Sequence, residues 1–106
     1  MTNLTTVKTE LRHDLSANLL SEIRALAELN GLTRLILFGS RARGDHKRTS
    51  DIDLAAEGGN VAKFSIDVEE DTNTLLRFDC VNMDGPINQD LRNSINAEGV
   101  VIYEKD

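Results

Sequence analysis

Residues 35–56 read LILFGSRARGDHKRTSDIDLAA, and no other stretch narrows the possible folds as far. Four apolar residues, 35–38, run straight into Gly39-Ser40. They are too few for a buried helix and predict an interior strand that ends in a sharp turn. Ten residues further on comes Asp51-Ile52-Asp53-Leu54. In a second strand, Asp51 and Asp53 would share one face while Ile52 and Leu54 share the other. Two adjacent carboxylates repel each other, and a divalent cation is their natural counter-charge.

The residues between the two strands agree with an anionic ligand. Gly39 permits the sharp turn and a close approach to the backbone. Ser40 is expected to cap a short helix whose free N–H groups form an anion site. Arg41, Arg43, Lys47 and Arg48 concentrate positive charge in one loop of a chain whose net charge is -6. A phosphate cradle facing a metal-binding carboxylate pair is what nucleotide phosphoryl chemistry needs.

The rest of the chain supplies an α/β layer. Residues 15–29 place leucine and isoleucine at helical spacing, with Asp14 as the expected cap and Asn30-Gly31 as the stop. Upstream, Leu4, Val7 and Leu11 suggest further helical turns, either continuous with that helix or packed beside it. Strand one spans Arg34–Phe38 and strand two about residues 52–56. Gly58-Gly59-Asn60 then leads to Val61, Phe64 and Val68 at helical spacing, although residues 64–68 could also be extended. Residues 74–83 alternate apolar and polar as a third strand, with Asp79 on the face of Arg77 and Val81. Pro86 suits the first turn of a last long helix carrying Leu91 and Ile95, and residues 100–103 form a fourth strand. This order predicts a small mixed sheet with helices packed on one face.

Length and composition set the outer limits. A chain of 106 residues is expected to form a single domain over residues 1–106. No segment reaches the roughly 20 apolar residues of a membrane span, and the N-terminus lacks the pattern of a secretory signal. The lone Cys80 excludes an intrachain disulfide and fits a reducing, cytoplasmic setting. An acidic balance argues against a general nucleic-acid-binding surface, so any anion site must be local.

Gly39-Ser40, ten residues, then Asp51-x-Asp53 resembles the pattern of the DNA polymerase β-like nucleotidyltransferases. The fuller text GSRARG…SDIDLA is similar to their minimal nucleotidyltransferase branch. That resemblance implies the polymerase β palm-like fold and a third carboxylate on a neighbouring strand, a position that Asp79 in RFDCV matches. It implies catalysis and metal binding by Asp51, Asp53 and Asp79, with two Mg2+ ions. It also implies nucleotide contacts from Gly39, Ser40, Arg41, Arg43 and Ser50, with ATP as substrate. Asp79 would assist an acceptor hydroxyl that attacks the α-phosphorus and releases pyrophosphate.

Larger members append a helical domain for the acceptor, and nothing in this chain is left over for one. Minimal members are paired with a small helical-bundle protein, either a substrate-binding subunit or a HEPN-type RNase toxin. In the toxin arrangement the nucleotidyltransferase is the antitoxin and transfers AMP to a tyrosine of its partner. A non-enzymatic antitoxin or nucleotide-binding subunit, acting by contact alone, is the competing reading. Among the remaining residues, His46 is expected to be an exposed loop side chain, Cys80 a small core residue and Tyr103 a buried ring. His13 has no partner that the sequence reveals.

Overall fold

The computed structural model describes residues 15–105, so the readings made for Leu4, Val7, Leu11, His13 and Asp14 lie outside the described residues. In chain order the elements are α1 (Ala17–Leu29), β1 (Arg34–Phe38), α2 (Gly39–Arg43), β2 (Ile52–Glu57), α3 (Val61–Asp71), β3 (Phe78–Asn82), α4 (Gln89–Glu98) and β4 (Val100–Glu104). The strands form one mixed sheet in the order β3-β2-β1-β4. Strand β1 runs antiparallel to both β2 and β4, while β3 lies parallel to β2.

Because β1 is central, its apolar run is buried on both faces. Leu35 and Leu37 join Ile52, Leu54 and Ala56 in the larger core, against Leu19, Leu20, Ile23 and Ala27 of α1 and Phe64 and Val68 of α3. Ile36, Phe38 and Ala55 point the other way and pack with Met83 and with Ile95 of α4. The expectation of helices on one face therefore holds for α1 and α3, while α4 covers part of the opposite face. The cause lies in β1, whose two apolar faces both have to be removed from water. Gly99 lets α4 end directly on the sheet, since a Cβ there would strike Ile36.

Several boundaries differ from the sequence reading, each through a local hydrogen bond. Helix α1 starts at Ala17 because Ser16 is its cap, its Oγ accepting the Leu19 N–H at 3.1 Å. Leu15 is still buried, whereas Leu29 is 70% exposed because the chain turns away at Asn30-Gly31 to enter β1. Helix α3 prevails over the extended alternative, with the Asn60 side chain accepting the Lys63 N–H. Glu69 sits in its last turn, where the dipole disfavours it, and accepts the Phe78 N–H of β3 at 2.8 Å.

Strand β3 is shorter than residues 74–83 because β2, its one partner among the described residues, begins at Ile52, opposite Phe78. Thr74 Oγ1 instead accepts the Leu76 N–H in a local turn. Pro86 lies in the loop before α4, and Asn88 caps that helix by accepting the N–H groups of Asp90 and Leu91. On β4 the register slips opposite Leu35 and Ile36. The Ile102 carbonyl beside that irregularity accepts from Arg24 Nε at 2.7 Å, tying the strand to α1.

Candidate active site

The site forms on the sheet face opposite α1 and α3, where the end of β1 meets the start of β2. Phe38 is extended and lies opposite Asp53 in the antiparallel ladder. Gly39 then turns the chain with φ +75°, a conformation that side chains rarely adopt. A Cβ on Gly39 would collide with the Asp53 carboxylate. The Gly-Ser turn and the aspartate strand thus touch at one point, and glycine is what permits the contact.

Asp53 of β2 is in register with Asp79 of β3, and Asp51 precedes β2 by one residue. Neighbouring strands lie about 4.8 Å apart, so alternation brings these carboxylates to one small region. Asp53 is half-buried and Asp51 and Asp79 are exposed. Burial, and then the negative charges of Asp79 and Asp51, raise the Asp53 carboxyl above its usual range; Arg43 and Arg41 pull it back down. Among the described residues, none of the three forms an ion pair or side-chain hydrogen bond.

An acid within a strand is costly only where it is buried without a partner. An edge strand leaves it in water, so its presence carries little desolvation cost. Three carboxylates in one region are donors of the all-oxygen kind that a hard cation such as Mg2+ takes, and their mutual repulsion is what such an ion relieves. Among the described residues, no three aspartate, glutamate, histidine or cysteine side chains stand close enough to hold an ion as they are. The backbone gathers the donors into one region, and their carboxylates stand apart within it.

The loop arginines fall into two classes. Arg43 is exposed and donates to Asp45 Oδ2 and Glu98 Oε1, each at 3.1 Å, linking α2 to the end of α4. Hydrogen bonds to these two carboxylates raise its already high pKa. Arg41 is 1% exposed and turns inward. Its Nε and one terminal nitrogen donate to the Ser50 carbonyl at 3.2 and 3.0 Å, and that same nitrogen reaches the Arg48 carbonyl at 3.2 Å.

Ser40 is not a helix cap: α2 begins at Gly39, Phe38 precedes it without a side-chain cap, and the Ser40 carbonyl receives the Gly44 and Asp45 N–H groups. Ser50 braces the loop, its Oγ accepting the Lys47 N–H at 2.8 Å. His46 is half-buried rather than exposed, and its Nδ1 has no hydrogen-bond partner among the described residues. Cys80 and Tyr103 pack against the larger core. Sequence reasoning missed Glu98, which lies 55 residues from Arg43 and carries no local signal.

Fold and site together define a nucleotidyltransferase domain. The chain belongs to the Polymerase beta nucleotidyltransferase family, whose pattern matches residues 7–106. Among solved structures, it is similar to a toxin–antitoxin crystallised with AMP-PNP, at 21% identity and a TM-score of 0.64. It is also similar to a mutant of the MntA–HpeT toxin–antitoxin, at 18% identity and a TM-score of 0.63. Each match covers 82% of this chain and 74% of the other, a likeness of fold. No curated protein matches the chain. Among the described residues no helix is long and apolar enough to cross a membrane.

Proposed function

We propose that this domain transfers AMP from ATP to a hydroxyl acceptor, namely a tyrosine of a small helical HEPN-type toxin, and thereby acts as its antitoxin. The observation that carries the reading is the trio Asp51, Asp53 and Asp79, brought by the strand register to one region beside the Gly39 turn, where among the described residues no ion pair holds any of them. A structural role for the trio would call for counter-charges, yet Arg43 is committed to Asp45 and Glu98, and Arg41 to backbone carbonyls. The family membership supplies the reaction class. The fold-level relatives that include a toxin–antitoxin with AMP-PNP support the choice of nucleotide and partner.

In this reading Asp51, Asp53 and Asp79 would hold two Mg2+ ions, which when bound would supply charge neutralisation for the phosphoryl transfer. Gly39 leaves the backbone of the turn open to the β- and γ-phosphates, with Ser40 beside them. Arg43 reaches the triphosphate by exchanging its carboxylate partners for phosphate oxygens. Asp79, exposed at the sheet edge, accepts the proton of the acceptor hydroxyl as that oxygen attacks the α-phosphorus. A helical partner presents its tyrosine there, opposite the leaving pyrophosphate.

One observation favours a second reading. The three carboxylates are not converged as they stand, which suits a non-enzymatic antitoxin or nucleotide-binding subunit that acts by complex formation. The two are separated by incubating the protein with its neighbour-encoded partner, Mg2+ and α-labelled ATP, then measuring intact masses. Partner mass rising by whole AMP units, and not doing so with Asp51→Asn/Asp53→Asn, supports transfer. A stable complex that carries no label with any of the four nucleotides leaves the binding reading standing.

A further inference from the structure

We propose that Arg41 is a positioning residue, which fixes the backbone on which Asp51 is presented to the metal ions and does not itself contact the nucleotide. The inference rests on the metal-site reading given above. Its basis is the path of the chain from α2 to β2. Residues 44–51 have no regular secondary structure, yet they must deliver Asp51 to the face that holds Asp53 and Asp79. The loop starts from two bonds, the Gly44 and Asp45 N–H groups on the Ser40 carbonyl. It closes on a turn between Lys47 and Ser50, whose backbone and side chain bond each other in both directions.

Asp51 itself is held from both sides. Before it, the Ser50 carbonyl takes two bonds from the Arg41 fork at 3.0 and 3.2 Å. After it, the Ile52 N–H donates to the Arg77 carbonyl at 2.8 Å, at the entry to β3. With both neighbours pinned, the Asp51 backbone has little freedom even though the residue lies outside the strand. The third bond, to the Arg48 carbonyl, holds the preceding turn to the same side chain.

This work suits arginine. Its planar guanidinium offers several donors in fixed directions, whereas a lysine ammonium is a single flexible point of charge. A group that is 1% exposed and bound to two carbonyls is poorly placed to reach a triphosphate in the open site. The same positive charge still acts on Asp53 through space. Outer partners that orient ligands in this way typically contribute about 10- to 100-fold to metal affinity.

The test uses Arg41→Lys beside the wild type and Asp53→Asn. Mn2+ binding is measured by electron paramagnetic resonance without nucleotide, AMP-PNP binding is measured in EDTA, and hydrogen exchange is followed over residues 45–52. The proposal expects Arg41→Lys to bind Mn2+ roughly tenfold more weakly or worse, to exchange its loop amides faster and to bind metal-free AMP-PNP as the wild type does. Wild-type Mn2+ affinity and wild-type exchange in Arg41→Lys, with nucleotide binding lost, would overturn it. Absence of Mn2+ binding in the wild type, or its retention in Asp53→Asn, overturns the metal-site reading as well, and so is a separate result. If Arg41→Lys does not fold, the Arg41 Nε–H resonance of the wild type decides. A slowly exchanging signal that AMP-PNP leaves unmoved supports the clamp, and a large shift on nucleotide addition refutes it.

Discussion

Asp53 and Asp79 stand opposite each other in register on the parallel strands β2 and β3, with no cationic side chain bonded to either among the described residues. Like charges facing across strands work against folding. Without metal, therefore, Asp79→Asn should raise the melting temperature by roughly 1–4 °C. The same substitution should remove most of the added stability that Mg2+ with AMP-PNP gives the wild type. Thermal melts of both proteins, with and without the ligands, check this. A destabilised metal-free variant would contradict the repulsion.

Gly39→Ala tests the contact between the turn and the aspartate strand. The substitution combines a left-handed backbone with a Cβ aimed at the Asp53 carboxylate. Backbone strain alone should cost about 1–2 kcal/mol. Displacement of Asp53 should abolish transfer even at temperatures where the variant is folded. Denaturant unfolding and the labelling assay, run on one preparation, separate the two losses.

Arg43 is shared between Asp45 and Glu98, so a triphosphate must compete with those carboxylates. Glu98→Gln removes one competitor. Exposed ion pairs are weak, so AMP-PNP affinity should tighten only about two- to fivefold, with the difference shrinking at high salt. Isothermal titration at two ionic strengths measures it, and weaker binding by the variant would place Glu98 among the nucleotide's supports.

The Cys80 thiol faces the larger core, and burial pushes its pKa up to about 11, with the nearby Asp79 charge adding to the rise and a hydrogen bond with Ser65 opposing it. The thiolate is the reactive form, and little is present at pH 8. Native protein should react with iodoacetamide far more slowly at pH 8 than the same protein in denaturant. Equal rates would show that the β3 edge opens readily.

Asp67 accepts from Lys63 at 2.8 Å and from Asn30 at 3.0 Å, and these bonds, Lys63 first, hold its carboxyl below the ordinary 3.8. A depressed folded-state pKa adds stability above the unfolded value and loses it as pH falls through the folded one. Asp67→Asn should thus melt slightly below the wild type at pH 7, and the gap should close as the pH drops below the carboxylate range. Melting curves from pH 7 to pH 2 give the comparison.

What the sequence alone determined is local. The apolar run before Gly39 requires an interior strand, alternation in Asp51-Ile52-Asp53-Leu54 separates acids from core, and Asn60 before Val61, Phe64 and Val68 offers a helix start beside an extended alternative. Each depends on periodicity or on a capping bond within a few residues, so each is legible without the fold. The nucleotidyltransferase resemblance rests on the same local pattern.

Tertiary structure decided what depends on neighbours distant in the chain. Only strand order shows that β3 is an edge, which leaves Asp79 in water and ends the strand where β2 gives out. Only packing sends α4 to the second face of β1, because the strand's apolar character does not say which helix will cover which side. Arg41 and Arg43 look equivalent in GSRARG, yet one is folded inward onto the Ser50 carbonyl and the other outward onto Glu98. Two residues apart on a short helix, they face different surroundings, and those surroundings rather than their shared charge set what each can do.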